Sequence, residues 1–193
     1  MSIGLFVEGK SDKDTIPKLI RKFLDTSPKI IPRRIHRGEM FKSEKVKLYL
    51  EALLEQHPDV AKVIVCVDSH CTDPAETRGE LSKIERELNK MDLPVVPRYA
   101  VVVHSLEGWL AADTEALECV LGKGAHVRIE EDLEEVCEPA ELLGDIFAQH
   151  GKKFLKTMHD PMIAEHADPR RIAKRNSSFQ RFLELVKDPK RLA

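Results

Sequence analysis

The sequence predicts an α/β protein: a mostly parallel sheet of four strands or slightly more, helices on both faces, and a helical C-terminal extension. Three observations carry this. Residues 3–12 read I-G-L-F-V-E-G-K-S-D, a short apolar strand that stops at a glutamate and runs straight into a helix. Residues 63–68 repeat the pattern as V-I-V-C-V-D, an all-apolar run of the buried parallel-strand type that ends on an aspartate. Strand and helix signals then alternate through residues 1–115, which implies right-handed crossovers and a sheet covered on both sides.

Each element has its own signal. After the strand at 3–7, a helix over 12–24 carries Ile16, Leu19, Ile20, Phe23 and Leu24 at helical spacing. Pro17 falls near its first turn, where proline is tolerated. Residues 29–36 make a less apolar strand interrupted by Pro32, which suits a sheet edge. Ser43 is expected to cap a helix over 43–56, with Val46, Leu48, Leu50, Leu53 and Leu54 as its apolar positions. The strand at 61–67 is apolar throughout and therefore central. An amphipathic helix over 74–91 and a strand over 95–104 complete the alternation.

Beyond Glu107 the character changes. Residues 106–121 read as one helix, broken by Gly122-Lys123-Gly124. From Pro139 onward the pattern gives short helices separated by Gly151, Pro161 and Asp168-Pro169, the last running through Phe179, Phe182, Leu183 and Val186. There is no internal repeat and no obvious linker. Residues 1–115 are the expected core and 116–193 an extension packed on it, one compact domain overall.

The 193 residues suffice to bury a proper core, and 42% hydrophobic with 33% charged describes a soluble globular chain. No apolar run approaches the roughly 20 residues that span a bilayer. The N-terminal apolar stretch is too short for a signal peptide and already carries Glu8, so a cytoplasmic protein is expected, with no membrane partner. Cys66, Cys71, Cys119 and Cys137 have no C-x-x-C pairing and no zinc-finger spacing, and they do not read as a disulfide framework. Cys66 lies inside a strand as a small buried hydrophobe, and Cys71 has no activating partner in sequence.

Net charge is −2 but unevenly spread. Lys10 to Lys47 is basic, with Arg33, Arg34, His36 and Arg37 close together. Glu130, Glu131, Asp132, Glu134, Glu135 and Glu138 form an acidic stretch, and Arg170, Arg171, Lys174, Arg175 and Arg181 make the tail basic again. Any one such patch is ordinarily a solvated face. Basic segments on either side of a carboxylate site also suit a phosphate-rich substrate.

The chemistry is expected at the carboxyl edge of the sheet, where open α/β folds bind ligands. Side by side in a parallel sheet, the first and third strands bring Glu8 and Asp68 to that edge, and Glu107 arrives there after the fourth. Such acids make a hard-oxygen site suited to Mg²⁺ or Mn²⁺. An unpaired acid ending a buried strand is costly, which favours a function for Glu8; Ser11 or Asp12 can cap the helix that follows. His70 and Asp73 are further candidate metal ligands, although an exposed turn also favours both residue types. Lys10, Arg33, Arg34 and Arg37 are candidate phosphate contacts. Trp109 and Leu110 read as core, and Asp113 as a cap. No P-loop, G-x-G-x-x-G, H-E-x-x-H or G-x-S-x-G occurs.

Together these segments resemble the Toprim fold of topoisomerases, bacterial primases and nucleases of the overcoming-lysogenization-defect type. That resemblance implies a glutamate after the first strand and a D-x-D after the third, binding divalent metal for phosphodiester chemistry. V-E-G-K-S-D carries the glutamate onto Glu8, and V-C-V-D-S-H carries the first aspartate onto Asp68. The likeness is closer to an uncharacterised Toprim-like family, the domain of unknown function numbered 4276. It has E-G-x-[ST]-[DE] near the start, an acidic motif mid-chain, E-x-W-L-x-x-D and an S-x-F-x-x-F-like tail. Here the last two are Glu107-Gly108-Trp109-Leu110-Ala111-Ala112-Asp113 and Ser177-Ser178-Phe179-Gln180-Arg181-Phe182. The second aspartate of D-x-D is His70, with Asp73 further along. Either substitutes for it, or a second metal position is missing, which puts two-metal nuclease activity in question.

The expected function is Mg²⁺- or Mn²⁺-dependent phosphodiester chemistry, a nuclease acting on DNA or RNA. Glu8, Asp68 and Glu107 would be catalytic, and His70 or Asp73 would complete the coordination. The resemblance implies a separate ATPase subunit as partner, and a homodimer stays open. The rivals are a non-catalytic Toprim-like regulatory subunit of an ATPase-containing complex and a small phosphotransfer enzyme.

Overall fold

The computed structural model describes residues 2–26 and 28–188. Its centre is a four-stranded, all-parallel sheet in the order β2-β1-β3-β4. The strands are β1 (Ser2–Val7), β2 (Lys29–Arg34), β3 (Val60–Asp68) and β4 (Arg98–Val102). The least apolar strand, β2, with Pro32, takes an edge, where a residue lacking an N–H leaves no gap in a ladder. The all-apolar β3 lies between β1 and β4.

Between the strands run α1 (Lys10–Phe23), α2 (Arg37–Met40), α3 (Ser43–Gln56) and α4 (Pro74–Leu88). After β4 come α5 (Leu106–Ala111), α6 (Thr114–Leu121), α7 (Pro139–Gln149), α8 (Lys156–His166), α9 (Pro169–Arg175) and α10 (Ser177–Lys187). None of the described helices is long and apolar enough to cross a membrane.

Strand side chains alternate between two cores. Ile3, Leu5, Val7, Ile64, Cys66, Ala100 and Val102 pack against α1 and the helices that follow β4. Phe6, Ile31, Val63, Val65 and Val67 pack against Val46, Leu50 and Leu53 of α3 and Leu81 and Leu88 of α4. Gly4 sits on the second face, where an added Cβ would lie 2.5 Å from Leu53 Cδ2 and 3.0 Å from Val63 Cγ2; only glycine lets α3 approach so closely. Trp109 is fully buried, with Phe179 at 4.9 Å and Phe182 at 5.0 Å between ring centres, and its indole N–H donates to Ser178 Oγ at 2.8 Å. The tail thus shares the larger core rather than lying on its surface.

Several details differ from the sequence expectations. The first helix begins at Lys10, which puts Pro17 in its interior instead of its first turn. Lys42, not Ser43, is the N-cap of α3, and the Ser43 hydroxyl donates to Glu87. The helix expected over 106–121 is two, because Asp113 turns back to accept from Ala116 N and cap α6. Pro161 lies inside α8 and does not separate helices. The fourth strand starts at Arg98 rather than at Val95, after two prolines, Pro94 and Pro97, that cannot donate to a ladder. The cysteine reading fails at one pair. Cys71 and Cys137, 66 residues apart, are joined as a disulfide with Cα atoms 5.0 Å apart, while Cys66 and Cys119 are free. Spacing along the chain gave no warning, because the fold brings two distant loops together.

Candidate functional site

The register sets the site. Val7 pairs with Arg34, Phe6 with Val65 and Asp68 with Val102, so β1, β3 and β4 end together at one edge of the sheet. Glu8 follows β1 directly, Asp68 is the last residue of β3, and Glu107 stands in the first turn of α5, just past β4. Two helices add three more groups. Asp12, in the first turn of α1, accepts from Gly9 N at 2.7 Å, and Lys156 and Asp160 lie one turn apart on α8. The α8 helix is tied down at Ser11 of α1, whose hydroxyl donates to Asp160 Oδ2 at 2.5 Å and to Lys156 O at 3.2 Å.

Five carboxyl groups therefore meet one ammonium. Lys156 Nζ is 2.8 Å from Oε1 of Glu107, which is only 3% exposed. Burial first, then the charges of Asp12, Glu107 and Glu8, push the Asp68 carboxyl well above the usual carboxylate range, with Lys156 opposing. Burial also leads the upward shift of Asp12, against the Gly9 hydrogen bond and with the charges of Glu107 and Glu8. Asp160 is fully buried; burial and then Glu107 raise it to about 8, while Ser11 and Lys156 pull the other way. Desolvation disfavours the charge on Lys156, but the hydrogen bond and charge of Glu107, aided by Asp160 and Asp68, outweigh it and raise its pKa. The cluster thus favours the charged form of Lys156 and the protonated forms of Asp12, Asp68 and Asp160.

Two oxygens in this cluster are buried without a hydrogen-bond partner, Glu8 Oε2 and Asp160 Oδ1. Buried unpaired oxygens are costly, and a ligand supplying positive charge would relieve both. Oxygen donors alone are the set that Mg²⁺ or Mn²⁺ takes, so the residues fit such an ion. The acids are nevertheless not drawn tightly together. Among the described residues, the group of three ligand atoms within 4.8 Å of one another is Cys71, Cys137 and Glu138. As a disulfide, that sulfur pair offers no thiolate to a metal.

The other expected site residues divide. His70 is exposed, with Nε2 at 4.0 Å from Glu8 Oε2, at the rim of the cluster. His70 and His104 form an isolated antiparallel bridge, both with left-handed backbone, φ 50° and 58°. Such conformations cost on the order of 1–3 kcal/mol each and persist only where surroundings impose them. Here His70 N donates to His104 O at 2.8 Å, and His104 N to Ser69 Oγ at 2.8 Å. Asp73 is an exposed N-cap of α4, accepting from Ala75 N at 2.8 Å. Lys10 is exposed at the start of α1. Arg34 and Arg37 reach the edge through backbone oxygens, Arg34 to Glu8 O and Arg37 to Asp68 O, each at 3.3 Å. Arg37 also lies 5.0 Å over the Phe41 ring and keeps a buried, unpartnered Nε. Arg33 points elsewhere, bonding Gln56 at 2.8 Å and approaching His57 Nε2 at 3.2 Å.

The family described as Domain of unknown function (DUF4276) matches residues 7–187. The chain belongs to this family. No curated protein and no solved structure matches it. The DUF4276 match spans every residue of the acid cluster, from Glu8 to Asp160.

Sequence reasoning missed Asp12, Lys156 and Asp160 as site residues. For Asp12 a signal existed: it follows Glu8 by four residues, close enough for the start of a helix to bring both to one end. The spacing of Lys156 and Asp160 puts them on one helical face, but nothing local says that this face returns to the sheet edge.

Proposed function

We propose that this DUF4276 chain is a Toprim-like, Mg²⁺- or Mn²⁺-dependent phosphodiester enzyme, a nuclease acting on DNA or RNA. One observation carries the reading: five carboxyl groups and one lysine converge at the carboxyl edge of a parallel sheet, with buried oxygens of Glu8 and Asp160 left without a hydrogen-bond partner. Glu8, Asp12, Asp68, Glu107 and Asp160 would hold the ion, which supplies charge neutralisation and Lewis acidity at a phosphate. Asp160 would give up its proton as the ion enters. Lys156, released from Glu107, would present its ammonium to a phosphate oxygen, with Lys10, Arg34 and Arg37 as further cations at the rim. Arg33 has no part in this, given its bonds to Gln56 and His57. On this reading the protein works in the cytoplasm, with a separate ATPase subunit as partner.

A second reading has specific support. Lys156 already neutralises Glu107, and His70 stands where a second aspartate is expected. Both suit a non-catalytic subunit of a larger assembly. The test is calorimetric titration of Mn²⁺ into wild type and Asp68→Asn, with cleavage of single- and double-stranded DNA and RNA assayed on the same samples. Binding and cleavage both lost in the variant support the nuclease. Binding without cleavage on any substrate favours the subunit reading, and no binding at all overturns the metal site.

A further inference from the structure

We propose that Cys71–Cys137 is a reversible redox clamp, a site of thiol–disulfide exchange that sets the rigidity of the carboxylate edge. That this edge binds metal rests on the reading above; the clamp itself rests on where the two sulfurs sit. Cys71 lies three residues past Asp68 and one past His70. Cys137 ends the stretch between α6 and α7, a connection without helix or strand. Past Cys137 the chain enters α7 at Pro139, which is buried against α5: a Cβ on Gly108 would lie 3.4 Å from Pro139 Cγ. Gly108 follows Glu107. The disulfide therefore joins the loop that follows Asp68 and carries His70 to the element packed beside Glu107, tying two walls of the acid cluster across its mouth.

The rest of that mouth is held by weaker bonds. His104 Nε2 is 2.9 Å from Glu134 O, and Glu134 Oε1 accepts from Ser178 N at 2.6 Å, which anchors the stretch only as far as Glu134. From Glu135 to Glu138 the stretch is held by Val136, packed at the edge of the larger core, and by the bond from Cys137 to Cys71. Both cysteines are exposed, so a thiolate can reach either sulfur. Exposed disulfides are the labile and regulatory ones, whereas buried structural ones resist reduction. The exchange balances with a dithiol reductant. One thiolate attacks Sγ of one cysteine and displaces the other as thiolate, giving a mixed disulfide. The second thiol of the reductant then displaces the first cysteine. Two electrons and two protons pass to Cys71 and Cys137, and the reductant leaves as a disulfide.

Cross-linking the two walls preorganises the donors, so the oxidised form is expected to bind cation more tightly. The experiment compares the oxidised full chain, the same protein treated with dithiothreitol under native conditions, and a Cys71→Ser, Cys137→Ser double variant. Thiol titration, amide hydrogen exchange and Mn²⁺ titration are read on each. We expect two thiols to appear on reduction and vanish on reoxidation with the fold intact. Exchange should rise several-fold at residues 69–73 and 135–139 and stay unchanged in β1 and β3. Mn²⁺ should bind several-fold more weakly to the reduced protein, and the double variant should match it in either buffer. A pair that stays as thiols in oxidising buffer, a bond that resists native dithiol, or equal protection in both forms overturns the clamp. Protection that responds while Mn²⁺ binds neither form upholds the clamp and removes the metal reading.

Discussion

Replacing Asp160 with asparagine should stabilise the protein, and increasingly so as pH rises. The side chain is fully buried, Ser11 Oγ donates to one of its oxygens and the other has no partner. Burial, then the charge of Glu107, raise its carboxyl from an ordinary 3.8 to about 8. In the unfolded chain the group loses its proton near the ordinary value, while in the folded chain it keeps it up to about pH 8. Folding thus binds a proton between these limits, and stability present below about pH 4 is lost as pH climbs through the folded value. At about 1.4 kcal/mol per pH unit the full interval amounts to on the order of 5 kcal/mol, part of it shared with the neighbouring Asp12 and Asp68. Asparagine still accepts from Ser11 and never ionises. It should gain on the order of 2–4 kcal/mol over wild type near pH 8.5, and less than about 1 kcal/mol near pH 4.5. Urea unfolding in the presence of a chelator, at several pH values, measures the difference. Parallel stability curves for the two proteins would refute the claim that Asp160 is held protonated by its surroundings.

Trp109→Ala should cost about 3–5 kcal/mol, since it empties the space beside Phe179 and Phe182 and removes the indole donor to Ser178 Oγ. A near-neutral urea midpoint would mean that the tail is not packed on α5 as described. Gly4→Ala should cost about 1–3 kcal/mol, because the new methyl must push Leu53 and Val63 apart between β1 and α3; a thermal midpoint equal to wild type would place α3 farther from the sheet.

The parts of the fold legible in the sequence are those whose signal is local. Val63 to Val67 is apolar at every position because β3 is covered on both faces, and the strand that breaks this rule, with Pro32, is an edge. The meeting of Glu8 and Asp68 at one sheet edge was legible for the same reason, since each acid closes such a run. What stayed hidden depends on contacts far apart in sequence. Asp113 divides α5 from α6 while also accepting from Arg171 Nε at 2.9 Å and Asp168 N at 2.7 Å, partners more than fifty residues on. Cys71 and Cys137 are 66 residues apart and meet in a fold where α7 packs on α5. Asp73, a candidate ligand by position, has a second use that its place before Pro74 also signals, the capping of α4.

The pairing of α1 with α8 bears on how the molecule comes into being. Ser11 meets Lys156 and Asp160 at one end of these helices, and at the other Lys18 and Lys22 reach Glu165, with Lys22 also bonding Ala167 O. These contacts span more than 140 residues. As the ribosome delivers the chain from its N-terminus, the sheet can pair as soon as β4 has emerged, whereas the acid cluster lacks a wall until α8 arrives. Nascent chains therefore pass through a stage in which Glu8, Asp12, Asp68 and Glu107 gather without Lys156, the cation that neutralises one of them. Closing so long a loop is slow, and the docking of α8 onto α1 is the step at which folding should wait.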